Sequence, residues 1–169
     1  MTGSLAPVTL CFSVSLLLFA GLHDAAVRTI PNWIPTSLAV AGFALRIQQG
    51  NFIAGVAVAG LLLLILGVLW LRGFIGGGDM KLIPAVSLML PPAGAAIFVL
   101  SAAIAGGVLS LIYRLMSCFV RRPGPGQRRG LLARVLKAEA WRMHRRGPLP
   151  YAVAIAAGAL PILITTFSW

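Results

Sequence analysis

Apolar residues lie along this chain in long blocks, separated by short clusters of charge, glycine and proline. The blocks fall at about 5–22, 34–45, 52–71, 82–90, 93–116 and 150–167. Several approach or reach the roughly 20 residues that a helix rising about 1.5 Å per residue needs to cross about 30 Å of hydrocarbon. The pattern predicts an all-α fold, a polytopic membrane helix bundle of about six transmembrane helices. The fourth span depends on Pro91 and Pro92, which interrupt an apolar stretch running from Leu82 to Tyr113. Proline lacks the backbone donor and disfavours helix in the residue before it, so this pair, followed by Gly94, predicts a tight turn. The first block has no basic residue ahead of it and is followed by Asp24 and Arg28, which predicts a retained span and not a cleaved leader.

Charge supports the turn independently. With all six crossings in place, segments 23–33, 72–81 and 117–149 share one side and hold 12 of the 14 basic residues, with Arg114 at their margin and Arg46 opposite. The positive-inside rule makes the shared side cytoplasmic and places both termini outside, in the inner membrane of the cell. Without the Pro91-Pro92 turn, the most basic loop would lie on the opposite face from Lys81.

Composition then excludes other classes. Of the 169 residues 59% are hydrophobic, with a mean hydropathy of +0.96, which is outside the range of an ordinary water-soluble domain. The net charge of +11 would fit a nucleic-acid ligand if it were spread over a surface. Ten of the 14 basic residues instead fall between Arg114 and Arg146, flanked by membrane-length blocks. That placement predicts a topology signal and a contact for anionic lipid, with no nucleic acid as partner. The loop divides into a Pro-Gly-Pro-Gly piece at 121–130 and a helix-prone piece at 131–146, which reads equally as an interfacial helix or a solvated linker. Cys11 and Cys118 are far apart and form neither a metal-ligand spacing nor a disulfide framework.

Three acidic residues occur in the chain: Asp24, Asp79 and Glu139. Glu139 sits among the arginines of the basic loop and needs no special role. Asp24 ends the first span and Asp79 precedes the fourth, so topology brings both to the cytoplasmic boundary. An acid costs roughly 2.5–3.5 kcal/mol at the centre of a membrane helix and less near the interface, which favours retaining one for use. Two close carboxylates share a proton, one acting as base toward water and the other as acid, and that is the chemistry of aspartic proteolysis. The structural alternative is a helix cap or an ion pair, with Arg28 and Lys81 as partners. Asp79 follows Gly76, Gly77 and Gly78, residues without Cβ that let another backbone come close.

These residues resemble the GxGD aspartic peptidases, and among them the type IV prepilin leader peptidases. The segment Gly76-Gly77-Gly78-Asp79-Met80-Lys81-Leu82 looks like the family's GxGD motif with its following Lys-Leu. Asp24 with Ile30-Pro31-Asn32 resembles the segment of the first catalytic aspartate. Pro150-Tyr151-Ala152 resembles the Pro-Tyr-Gly opening of the last span, with Ala152 where glycine is usual. The resemblance implies that residues 1–169 form a single integral-membrane peptidase domain containing the basic cytoplasmic loop 117–149. Asp24 and Asp79 would be catalytic, Gly76 and Gly78 would shape the substrate approach, and Lys81 would tune Asp79 or anchor its loop to lipid phosphate. The implied reaction removes the short basic leader from a prepilin or pseudopilin precursor at the cytoplasmic face. Asp24 follows the first span directly, without the cysteine-bearing domain of bifunctional members, so the chain resembles the short, peptidase-only forms of Flp or Tad-type pilus systems.

No cofactor is implied. Asp24, Asp79, His23 and His144 match no metal-ligand spacing. Residues adjacent on a helix diverge by about 100°, so His23 reads as an interfacial histidine and not as a partner of Asp24. Two other readings remain at the level of sequence. One is a non-catalytic membrane subunit of a pilus or secretion assembly complex, whose aspartates pair with arginines. The other is an enzyme of the presenilin or signal-peptide-peptidase type, which Asp24 beside Ile-Pro-Asn fits poorly.

Overall fold

The computed structural model describes residues 5–119 and 149–167. Six helices follow in order: α1 Leu5–Val27, α2 Trp33–Gln48, α3 Phe52–Leu71, α4 Gly77–Met89, α5 Pro92–Phe119 and α6 Tyr151–Phe167. The described residues contain no strand. Each expected span is met by one helix, and the Pro91-Pro92 break falls between α4 and α5, with Pro92 as the first residue of α5, where a missing backbone donor is harmless. The boundaries differ where it matters most. α1 continues five residues beyond Leu22, which puts Asp24 inside its last turn, and α4 begins at Gly77, which puts Asp79 inside its first. Most of the basic loop, including its helix-prone piece at 131–146, lies outside the described residues.

Among the described residues three helices are long and apolar enough to cross a membrane, within Val8–Val27, Phe52–Leu71 and Pro92–Met116, while the apolar part of α6 is shorter. α3 shows what surrounds the protein. It buries Gly55 and Ala59 and exposes Ile53, Leu61, Leu64, Ile65, Val68 and Leu71. An apolar face of that extent matches lipid, not water. The chain is an all-helical membrane protein.

α4 is the inner element. Every residue from Leu82 to Leu90 is buried, as expected of a helix that is apolar all round. It packs on α2 and α3 on one side and meets α5 and α6 on the other, while α6 packs closely on both α1 and α5. Two three-helix groups result, α2/α3/α4 and α1/α5/α6, joined along a seam. Small residues set the spacing, since a Cβ at Gly42 would lie 2.6 Å from the Leu88 Cβ, and one at Gly158 would lie 2.6 Å from the Ala102 nitrogen.

Arg46, the basic residue that charge counting left on the outer side, is fully buried. Its guanidinium donates to the Leu88 and Met89 carbonyls at 3.1 and 3.4 Å and to Asn51 Oδ1 at 3.2 Å. The last carbonyls of a helix lack intrahelical donors, and Pro91 and Pro92 have no N–H to offer them. Arg46 supplies what the turn cannot.

Candidate active site

Asp24 lies in the last turn of α1 and is 6% exposed. The chain then reverses. Arg28 adopts a left-handed φ of 61°, its N–H donating to the Asp24 carbonyl at 2.8 Å. A non-glycine residue held there stores strain on the order of 1 kcal/mol. His23 Nδ1 donates to the Thr29 carbonyl at 2.7 Å, which closes the turn and gives the interfacial histidine a structural partner. The Arg28 side chain folds over α5, with its guanidinium 5.8 Å from the Tyr113 ring centroid and Nη2 3.4 Å from the Tyr113 hydroxyl. Ile30-Pro31-Asn32 then leads into α2.

The other aspartate is placed by glycine. Gly73, at φ 76°, turns the chain after α3, a conformation that favours a residue without Cβ. Gly76 is the N-cap of α4 with extended backbone, and Asp79, three residues on, accepts a hydrogen bond from the Gly76 N–H. This is the returning half of a capping box. A Cβ at Gly76 would sit 3.0 Å from Asp79 Oδ2, and one at Gly78 would sit 2.9 Å from the Ile30 Cβ. The glycines therefore make room for the carboxylate on one side and for the Ile-Pro-Asn segment on the other. Lys81 Nζ donates to Asn32 Oδ1 at 3.0 Å. Two segments about 50 residues apart are thus joined twice, by the Ile30 and Gly78 contact and by the Asn32 and Lys81 hydrogen bond.

The consequence is a shared cavity of about 920 Å³ at the seam, lined by Asp24 and Arg28 to Ile30, by Gly73 to Asp79, by Gly106, Gly107 and Ser110 of α5, and by Leu149 and Tyr151. Asp79 stands in the boundary turn ahead of the apolar segment 82–90. Its carboxyl is pushed up to about 7, first by burial and then by the negative charge of Asp24, against the opposing pull of the Gly76 N–H. Asp24 Oδ2 accepts the Ala152 N–H at 3.1 Å, so α1 caps the start of α6 from outside. α1 and α6 come close enough that a Cβ at Gly21 would lie 3.6 Å from the Val153 Cα, and Ala152 is fully buried in that contact. The alanine in place of glycine is accommodated.

Four of the five residues singled out in the sequence line this cavity. Asp24, Asp79, Gly76 and Gly78 line it, whereas Lys81 points away from it, bonded to Asn32 and lining with it a second cavity beside Pro84 and Leu88. Sequence reasoning missed the Ala152 N–H, the Tyr151 ring and Gly106, whose absent Cβ leaves the notch in which that ring lies. The Gly106-Gly107 pair inside an apolar helix was an available signal. It gives no hint of a partner 45 residues away. A pair of carboxylates in one cavity, one holding its proton near neutral pH, can act together as acid and base.

A profile of the type IV leader peptidase family matches residues 11–111. The match contains both aspartates, the Ile-Pro-Asn segment and the glycine-rich segment, and ends before α6. Comparison with curated proteins and with solved structures gave no match. The matched stretch covers well over half of the chain and all of α2, α3 and α4, and on that basis this membrane protein belongs to the type IV leader peptidase family, a family of peptidases.

Proposed function

We propose that the protein is an aspartic endopeptidase with Asp24 and Asp79 as its catalytic pair, removing the short basic leader of a type IV prepilin or pseudopilin. The observation that supports this reading is the meeting of two aspartates, both inside the family-matched stretch, at one cavity, near enough for the charge of Asp24 to raise Asp79. Asp24, which receives the Ala152 N–H, is the base that takes a proton from water. Asp79 is the acid that supplies one to the substrate. The two titrate as a coupled pair.

The remaining assignments rest on the resemblance and on charge. Residues 1–169 act as one peptidase domain of the short Flp or Tad-type form, in the inner membrane, with the site toward the cytoplasm and both termini outside. Gly76 and Gly78 keep the approach to Asp79 open, and Lys81 holds the two segments in register through Asn32. The basic segment 117–149 meets anionic lipid on the cytoplasmic side.

The test is co-expression with a prepilin. Wild type should shift the precursor to the faster-migrating form, and sequencing should place the new N-terminus at the end of the leader. Asp24→Asn and Asp79→Asn should insert at normal levels and leave the precursor intact. Normal processing by either variant would exclude the pair as catalytic and favour a non-catalytic assembly subunit.

A further inference from the structure

Tyr151 opens α6 and lines the cavity that holds Asp24 and Asp79. Its position is fixed from two directions. Asp24 holds the N–H of the next residue, Ala152, at 3.1 Å. The ring lies in the notch at Gly106, where a Cβ would stand 2.8 Å from Cζ and 2.9 Å from the hydroxyl oxygen. Tyr151 thus shares one cavity with both aspartates and is tied to Asp24 through the adjoining backbone. A phenol both donates and accepts a hydrogen bond and keeps its proton at neutral pH.

A dyad with one ionised carboxylate has a single side-chain proton to offer. Attack by water nevertheless creates a carbonyl oxyanion that needs donors, while the departing nitrogen needs a proton. We infer that the Tyr151 O–H donates a hydrogen bond to the oxygen of the scissile carbonyl and holds the oxyanion during attack. This rests on the aspartic-dyad reading above. The water oxygen bonds to the carbonyl carbon as Asp24 takes the water proton, and the C=O π pair moves to oxygen, facing the Tyr151 hydroxyl. The C=O then re-forms and the C–N bond breaks. Its electron pair leaves with the amine, which takes the proton of Asp79, and the proton on Asp24 passes to Asp79 to restore the pair. Tyr151 transfers no proton, so its contribution is electrostatic.

Tyr151→Phe keeps the ring in the Gly106 notch and the Ala152 N–H on Asp24, and removes only the donor. With purified enzyme and a purified prepilin in detergent, kcat should fall about 100- to 1000-fold, the range for loss of one oxyanion donor. KM should stay within about threefold, and the thermal midpoint should match wild type. Gly106→Ala forces the ring to move and should lose activity similarly, yet lose nothing further when added to Tyr151→Ala, where no ring remains to displace. A wild-type kcat for Tyr151→Phe, or a loss confined to KM, overturns the inference. Asp79→Asn in the same assay separates the two claims. If it is inactive while Tyr151→Phe is fully active, the tyrosine assignment alone falls; if it cleaves normally, the dyad reading falls as well.

Discussion

The Asp24 carboxylate accepts the backbone N–H of Ala152, 128 residues further along the chain. The contact gives one side chain two separable duties, to cap α6 and to present a carboxylate to the cavity. Asparagine keeps an oxygen for the N–H but cannot ionise. Asp24→Asn should therefore lose cleavage while its thermal midpoint changes little. Asp24→Ala should lose cleavage and also about 1–3 kcal/mol of stability, the cost of an orphaned buried donor. Unfolding curves of the two variants in one detergent check the difference.

Asp79, pushed up to about 7, should make stability depend on pH and, in the proposed role of acid, activity as well. Its folded pKa exceeds the ordinary value of 3.8, so between these values the folded state binds more protons than the unfolded one. Stability then declines as pH rises from about 4 to about 7. The thermal midpoint should fall over that window, and Asp79→Asn should flatten the fall. Cleavage should decline above about pH 7 as the acid loses its proton, giving the alkaline limb of a bell-shaped profile. A limb displaced by two or more pH units would assign the acid elsewhere.

Gly78 is the point where the glycine-rich segment meets Ile30, with an added Cβ 2.9 Å from the Ile30 Cβ and 3.1 Å from both Cγ1 and Cδ1. Gly78→Ala should separate the two segments and reduce cleavage by at least about tenfold, at a stability cost of about 1–3 kcal/mol for overpacking. Ile30→Ala removes two of the three crowded atoms and should restore part of the activity in the double variant. Simple additivity of the two losses would contradict the contact.

Arg46 acts at the other end of α4, where it holds the Leu88 and Met89 carbonyls. Arg46→Met removes the donors from a buried position and should cost about 2–4 kcal/mol, since hydrogen bonds to a charged group are worth about 1.5–3 kcal/mol and the carbonyls lose their partners. Asp79 lies about 14 Å away by helical rise. The kcat of the folded fraction should stay near wild type while the unfolding midpoint drops.

The fold was legible because membrane insertion is decided by long runs of one character, and those runs are explicit in the sequence. Pro91 and Pro92 mark the break between α4 and α5, and the side count of basic residues supports it. Asp24 and Asp79 stood out because acids are scarce in this chain. The extension of α1 through Asp24 and the start of α4 at Gly77 were not legible, since polar residues in an interfacial turn look the same inside or outside a helix. Nor was Arg46, which reads as a topology charge until the carbonyls it serves are located. Contacts such as Tyr151 on Gly106 depend on which faces of distant helices meet, and local pattern carries no information about that.

Asp24 belongs to α1 and Asp79 to α4, so the two carboxylates stand on opposite sides of the seam between the three-helix groups. Their separation depends on how the two groups are docked as well as on the segments that carry them. A solvent that loosens the docking without melting the helices would silence the enzyme at full helical content, and a tightly held ligand in the cavity would act as a rivet across the joint. Loss of activity and loss of secondary structure should then be distinct events on a denaturation curve, with activity lost first.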